Sequence, residues 1–155
     1  MPVNLGAFMA DSDILSDAER EALNEAIHGP DQMAPRVLIV DDDADSRQIL
    51  AEILDLHDIY CVTADSGEAA LRKLESSVAI DLLITDLRMA HGGGLDLIRS
   101  VRASDRAALP VIIVSGNANV RDAIAAMHLK VVDFLLKPID AVKLVELVKR
   151  ELHMA

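Results

Sequence analysis

Five side chains able to do chemistry each follow directly on a run of aliphatic residues. Asp41 and Asp42 follow VLIV (37–40), Asp86 follows DLLIT (81–85), Ser115 follows PVIIV (110–114), and Lys137 follows VVDFLL (131–136). The first pair belongs to a triplet, Asp41-Asp42-Asp43. At about 4 Å and an effective dielectric of about 20, each like-charge pair costs about 4 kcal/mol. Solvation or helix capping can relieve such a triplet, and so can a hard divalent cation. Mg2+ takes a few carboxylates and fills its other positions with water and phosphate oxygens. An aspartate can also attack phosphorus to give an aspartyl phosphate. A metal ion, a hydroxyl and an ammonium then neutralise the equatorial oxygens, where most of the catalysis of phosphoryl transfer lies. Lys137 suits that task as a point charge on a flexible stem, and Pro138 fixes the chain direction behind it.

For these residues to meet, the aliphatic runs must be neighbouring strands. The runs at 37–40, 60–64 (YCVTA), 81–85, 110–114 and 131–136 mostly lack polar alternation, as strands buried on both faces do. Between and after them lie segments of helical period near 45–56, 67–76, 94–103, 118–128 and 140–153, with Asp65, Ser66 and Asp140 as candidate N-caps. Five strand-helix repeats predict an α/β fold: a doubly wound parallel sheet with helices on both faces. Ligands of such sheets sit outside the carboxyl ends of the strands, where all five chemical residues stand.

Residues 1–35 read differently. Asp11, Asp13, Asp17, Glu19, Glu21, Glu25 and Asp31 have only Arg20 as a basic counterpart. Ser16 and Glu19 form a capping box, and Leu15, Ala18, Ala22, Leu23, Ala26 and Ile27 make an apolar stripe. One amphipathic helix is expected near 16–28, stopped by Gly29-Pro30 and followed by a linker to Pro35. It reads as an acidic, solvated extension of a domain spanning 36–155.

The chain's 155 residues, 52% of them hydrophobic, suit one compact domain plus that extension. A formal net charge of −11 argues against direct binding to nucleic acid or to an anionic membrane. It suits metal ions or basic partner surfaces. The single cysteine, Cys61, precludes an internal disulfide framework, fits a reducing cytoplasm, and reads as a small buried apolar residue. No apolar run approaches the roughly 20 residues of a membrane span. The five histidines show no ligand spacing, so zinc is not supported.

VLIVDDD, DLLITDLRM with Gly94 beyond it, VIIVSGN and DFLLKP follow one another in a fixed order. Together they make residues 36 to about 153 similar to the receiver domain of two-component response regulators. The resemblance implies a CheY-like, flavodoxin-like (βα)5 fold with strand order 2-1-3-4-5. It implies Asp86 as phosphoacceptor, and Mg2+ (or Mn2+) held by Asp41, Asp42, Asp86 and the backbone carbonyl of Arg88. Ser115 takes the place of the switch hydroxyl and Lys137 that of the phosphate-contacting lysine, with a cis Lys137-Pro138 bond. Phe134 matches the aromatic that reports the active state, though it reads equally as core. Arg88 and Asn117 stand where the family tunes dephosphorylation.

The implied donor is a sensor histidine kinase or a phosphotransfer protein. The implied output is a protein target bound by the fourth helix, fifth strand and fifth helix (118–153), with a second copy of the chain as a further partner. Such a domain catalyses its own phosphorylation and slow dephosphorylation and is not otherwise an enzyme. With no output domain after Ala155, signalling is expected to run through protein contacts or onward phosphotransfer.

Three features depart from the family pattern. Ala90 replaces a common proline, HGGG (91–94) lacks the usual acid before Gly94, and Lys130-Val131 replaces a common Gly-Ala pair. The glycine run implies a loose loop, and a non-glycine at 130 calls for a different turn. Rival readings are weaker. Asp41, Asp43, Asp45 and Glu52 match EF-hand positions 1, 3, 5 and 12, but Ser46 stands where glycine is needed and a strand precedes the loop. A haloacid-dehalogenase-type phosphatase would use Asp41 and Asp43, with Ser115 and Lys137, but finds no later acidic motif and leaves Asp86 unexplained. A receiver-like interaction module that is never phosphorylated is the third reading. In the receiver reading Asp43 is a bystander.

Overall fold

A computed structural model of the chain describes residues 36–76, 79–90 and 92–154. The helix expected at 16–28 lies outside them. Five strands, β1 (Arg36–Val40), β2 (Tyr60–Ala64), β3 (Ile80–Asp86), β4 (Val111–Ser115) and β5 (Asp133–Leu136), form one sheet in the order β2-β1-β3-β4-β5. Every pairing is parallel. The helices are α1 (Ala44–Asp55), α2 (Gly67–Ser76), α3 (Gly94–Arg102), α4 (Val120–His128) and α5 (Ala141–Glu151).

Successive strand residues point to opposite faces, so each central strand feeds two cores. Val37, Ile39, Leu82, Ile84, Ile112 and Val114 pack with Leu50 and Leu54 of α1 and Leu144 and Val148 of α5. Leu38, Val40, Leu83, Val111 and Ile113 pack with Leu74 of α2, Leu97 and Ile98 of α3 and Ala126 of α4. Strands covered on both sides need aliphatic residues at every position, which is why β1, β3 and β4 lack alternation. Truncating one of these residues, such as the fully buried Leu83, to Ala costs about 2–5 kcal/mol.

Local signals set the helix starts. Ser66 Oγ accepts from Ala69 N at 3.1 Å, so Ser66 rather than Asp65 caps α2. Asp140 accepts from Lys143 N. Asn119 and Asp122 form a reciprocal capping box, which starts α4 at Val120 rather than at 118.

The expectation of a different turn at Lys130 is corrected. Lys130 itself adopts φ 57°, the left-handed conformation a glycine would take. Its carbonyl and that of Leu129 accept from the Arg102 guanidinium at 3.3 and 2.8 Å, which helps hold the turn. The turn delays β5, which begins at Asp133 rather than at 131.

Candidate functional site

Strand register brings the chemical residues level. Val40 is opposite Thr85, Asp86 opposite Val114, and Ser115 opposite Leu136. The next residue along β1 is therefore level with Asp86, and the residue after Leu136 is Lys137. Lys137 N also donates to Ser115 O at 2.8 Å.

Lys137 Nζ lies 3.1 Å from Asp41 Oδ2 and 3.1 Å from Asp86 Oδ2. Its third donor points at Ser46 Oγ, 3.3 Å away on α1. An ammonium has three donors, and all three are used here. Asp41 is only 1% exposed, and its Oδ1 accepts from Asp43 N at 2.9 Å. Burial raises the Asp41 pKa above the ordinary value, against the opposing pull of that amide and of Lys137. Burial alone would lower the Lys137 pKa, but the carboxylates of Asp86 and Asp41 outweigh it and raise it. Asp86 Oδ1 accepts from Arg88 N at 3.1 Å.

The other expected residues stand around this centre. Asp42 is turned across to the loop after β3, where its Oδ2 accepts from Ala90 N at 2.9 Å. Ser115 is fully buried, and its hydroxyl donates to Asn117 O at 3.0 Å. Phe134 is half-buried against the α2–α3–α4 side of the core. The Lys137-Pro138 bond is cis. Asp43 keeps an exposed side chain that makes no cap hydrogen bond, although it begins α1. Cys61 is half-buried at the sheet edge, and burial pushes its thiol up to about 12.

Sequence reasoning missed three contributors. Ser46 anchors Lys137, and Arg47 Nη1 donates to the backbone carbonyl of Asp41 at 2.8 Å. Asp122 binds the Arg88 guanidinium at 2.6 Å. Only Asp122 left a mark in sequence, as the last residue of the box Asn119-x-x-Asp122; its partner lies 34 positions away.

Among the described residues no three His, Cys, Asp or Glu side chains stand together as a ready-made metal cluster. Lys137 holds the facing oxygens of Asp41 and Asp86, and Asp42 is engaged by Ala90. The donor chemistry nevertheless fits Mg2+ or Mn2+. All three side chains offer hard oxygens, and a carboxylate has about four lone-pair sites, of which the amide and lysine contacts use only some.

Fold and site together define a doubly wound α/β protein with an acid-and-lysine centre at the carboxyl ends of its strands. The model of the response regulator receiver domain matches residues 37–149, and the chain belongs to that family. The C4-dicarboxylate transport transcriptional regulatory protein DctD of Pseudomonas aeruginosa is 34% identical over 77% of this chain and 25% of its own length. The transcriptional regulatory protein CpxR of Escherichia coli is 32% identical over 71% of this chain and 46% of its own. The chain thus spans less than half the length of these relatives. A response regulator receiver protein from Pseudomonas putida superposes with a TM-score of 0.74 at 52% identity, covering 76% of this chain and 98% of that one. The chemotaxis protein CheY4 of Vibrio cholerae, at 24% identity and a TM-score of 0.70 over 76% of this chain and 98% of that one, shares the fold. No helix among the described residues is long and apolar enough to cross a membrane.

Proposed function

We propose that this receiver accepts a phosphoryl group on Asp86 from the phosphohistidine of a sensor kinase or phosphotransfer protein. The observation that carries the reading is Lys137 Nζ, held 3.1 Å from both Asp41 and Asp86. An Asp86 carboxylate oxygen bonds to phosphorus as the P–N bond to the donor imidazole breaks, and the electron pair leaves with the ring nitrogen. Mg2+, held by Asp41, Asp42, Asp86 and the Arg88 carbonyl, would neutralise the phosphoryl oxygens. Lys137 then moves from carboxylate to phosphoryl oxygen with little change of position. Ser115 gives up Asn117 O to donate to the phosphoryl group, and Phe134 follows it inward.

The exchange shifts the population between two states. The face it alters is already apolar: Ile124, Met127, Leu136 and Val142 are 48–74% exposed on α4, β5 and α5. A protein target would bind there. Slow hydrolysis resets the domain, at a rate tuned by Arg88 and Asn117, two residues past Asp86 and Ser115.

Exposure separates this reading from the phosphatase, whose nucleophile would be Asp41. The Asp41 side chain is 2% exposed and that of Asp86 11%, and burial already disfavours the charged form of Asp41. A small phosphodonor with Mg2+ should label the protein once, with a bond stable in acid and labile in base. Asp86→Asn should abolish labelling. Labelling that survives Asp86→Asn but is lost in Asp41→Asn would favour the phosphatase, and no labelling at all the unphosphorylated module.

A further inference from the structure

Helix α4 is held at its two ends by two arginines of different kinds. At the C-terminal end, the Arg102 guanidinium donates to the backbone carbonyls of Leu129 and Lys130, and also to Ala107 O and Leu109 O in the loop before β4. These are neutral acceptors, tied to the body of the sheet. At the N-terminal end the tie is ionic. Arg88 Nη2 donates to Asp122 Oδ2 at 2.6 Å, and the same Oδ2 accepts from Asn119 N at 3.1 Å. Asp122 N in turn donates to Asn119 Oδ1 at 2.9 Å. The other end of this chain of contacts is Asp86, whose Oδ1 accepts from Arg88 N.

The N-terminal tie is therefore two residues from the position where charge would change, and the C-terminal tie is not. A phosphoryl group on Asp86 raises the negative charge there from one to about two and places three acceptor oxygens beside Arg88. Arg88 extends from the backbone that binds Asp86, its side chain is 55% exposed, and among the described residues its guanidinium is held by Asp122. An exposed guanidinium between a carboxylate and a doubly charged phosphoryl group moves toward the larger charge.

We infer that the Arg88–Asp122 ion pair is a latch that holds the N-terminal end of α4 in the unphosphorylated position. Phosphorylation of Asp86 draws Arg88 away, and α4 swings about its Arg102-held C-terminal end. Asp122 is thus a positioning residue that acts through Arg88, and it also delays the approach of Arg88 to the phosphoryl group. The inference rests on Asp86 being the acceptor. It adds the element that carries the signal from Asp86 to Val120, Ile124 and Met127, the exposed apolar residues of α4.

Two variants test it. Asp122→Asn keeps an oxygen for Asn119 N–H and removes the charge, while Arg88→Ala opens the latch from its exposed side and leaves the capping box intact. In both, the backbone amide resonances of residues 119–124 in the unphosphorylated protein should move toward the positions they take in phosphorylated wild type. Asp122→Asn should also be labelled by acetyl phosphate and Mg2+ up to about fivefold faster, the ratio a partly exposed ion pair supports. Asp122→Glu, which keeps the charge, should restore wild-type behaviour in both readouts. If Asp122→Asn does not fold, the amide shifts of Arg88→Ala decide the question alone. Wild-type labelling at Asp86 combined with unmoved 119–124 amides in the variants would overturn the latch and leave the acceptor standing. Failure of wild type to be labelled at Asp86 removes the acceptor and the latch together.

Discussion

The hydroxyl of Ser115 donates to the carbonyl oxygen of Asn117, 3.0 Å away, so it is turned onto its own loop and away from Asp86. The Asn117 backbone N–H donates a longer contact back to Ser115 Oγ at 3.3 Å. Ser115 is fully buried, so the hydroxyl cannot exchange this partner for bulk water. It leaves Asn117 only when another acceptor is offered. Ser115→Ala should cost about 1 kcal/mol, the net worth of one such bond. It should leave labelling of Asp86 in place and suppress the accompanying amide shifts in α4 and β5, which heteronuclear NMR of the phosphorylated variant would show.

The acid centre is stabilised by one cation, and the sign of its pH dependence follows. The Lys137 pKa is raised above its unfolded value, chiefly by Asp86 and Asp41 against the opposing effect of burial. Its contribution to stability is therefore complete below the unfolded lysine pKa and is lost as pH rises through the folded value. Lys137→Met leaves Asp41 and Asp86 facing one another. In urea titrations at neutral pH it should cost about 1–3 kcal/mol, below the usual figure for breaking a buried pair because the lysine is 26% exposed. The loss should shrink at strongly alkaline pH.

Asp41 carries the opposite burden. Burial holds its pKa above the ordinary carboxylate value, so the folded state binds its proton more tightly than the unfolded chain does. Charged Asp41 is a cost present at neutral pH and relieved as pH falls through its folded pKa. Asp41→Asn keeps an acceptor for Asp43 N and should raise the melting temperature without added metal. Mg2+ should raise the melting temperature of the wild type, by about 2.7 kcal/mol of stabilisation at a hundredfold excess over Kd. It should do much less for Asp41→Asn.

Gly94 packs against the backbone of Asp86, the proposed acceptor. A Cβ built there would collide with the Asp86 carbonyl oxygen, while Gly94 N donates to Leu87 O at 2.9 Å. Gly94→Ala should cost about 1–3 kcal/mol through overpacking and slow labelling by displacing Asp86. Gly92, at φ +70° with open space around its Cβ position, should lose about 1–2 kcal/mol on replacement by Ala, through backbone strain alone, and keep its labelling rate.

What the sequence made legible divides along a physical line. β1, β3 and β4 are covered on both faces, so burial wrote itself into continuous aliphatic runs. The residues that follow them, Asp41, Asp86, Ser115 and Lys137, came together because parallel register leaves their positions little freedom. Lys130 misled because the glycine rule is only a preference; its left-handed turn is held by Arg102, 28 positions earlier. Ser46 and Asp122 went unseen because their partners Lys137 and Arg88 lie 91 and 34 residues away, with no periodicity to link them. Asp42 was legible as a member of an acid pair, but nothing in VLIVDDD shows that its carboxylate reaches Ala90 across the pocket.

Lys130→Gly offers a check on that turn. Glycine relieves about 1–2 kcal/mol of left-handed strain and returns part of it as unfolded-state entropy. The variant should be about 0.5–1 kcal/mol more stable in urea titration, with Asp86 labelling unchanged.

The most direct measurement is to locate the phosphoryl group. Protein incubated with acetyl phosphate and Mg2+ is reduced with borohydride, which converts an acyl phosphate to an alcohol, and the peptides are sequenced by mass spectrometry. Homoserine at position 86, absent in Asp86→Asn, is the expected result. Homoserine at position 41 instead, or no reduction product in a folded, Mg2+-saturated protein, would contradict the assignment of Asp86 as the acceptor.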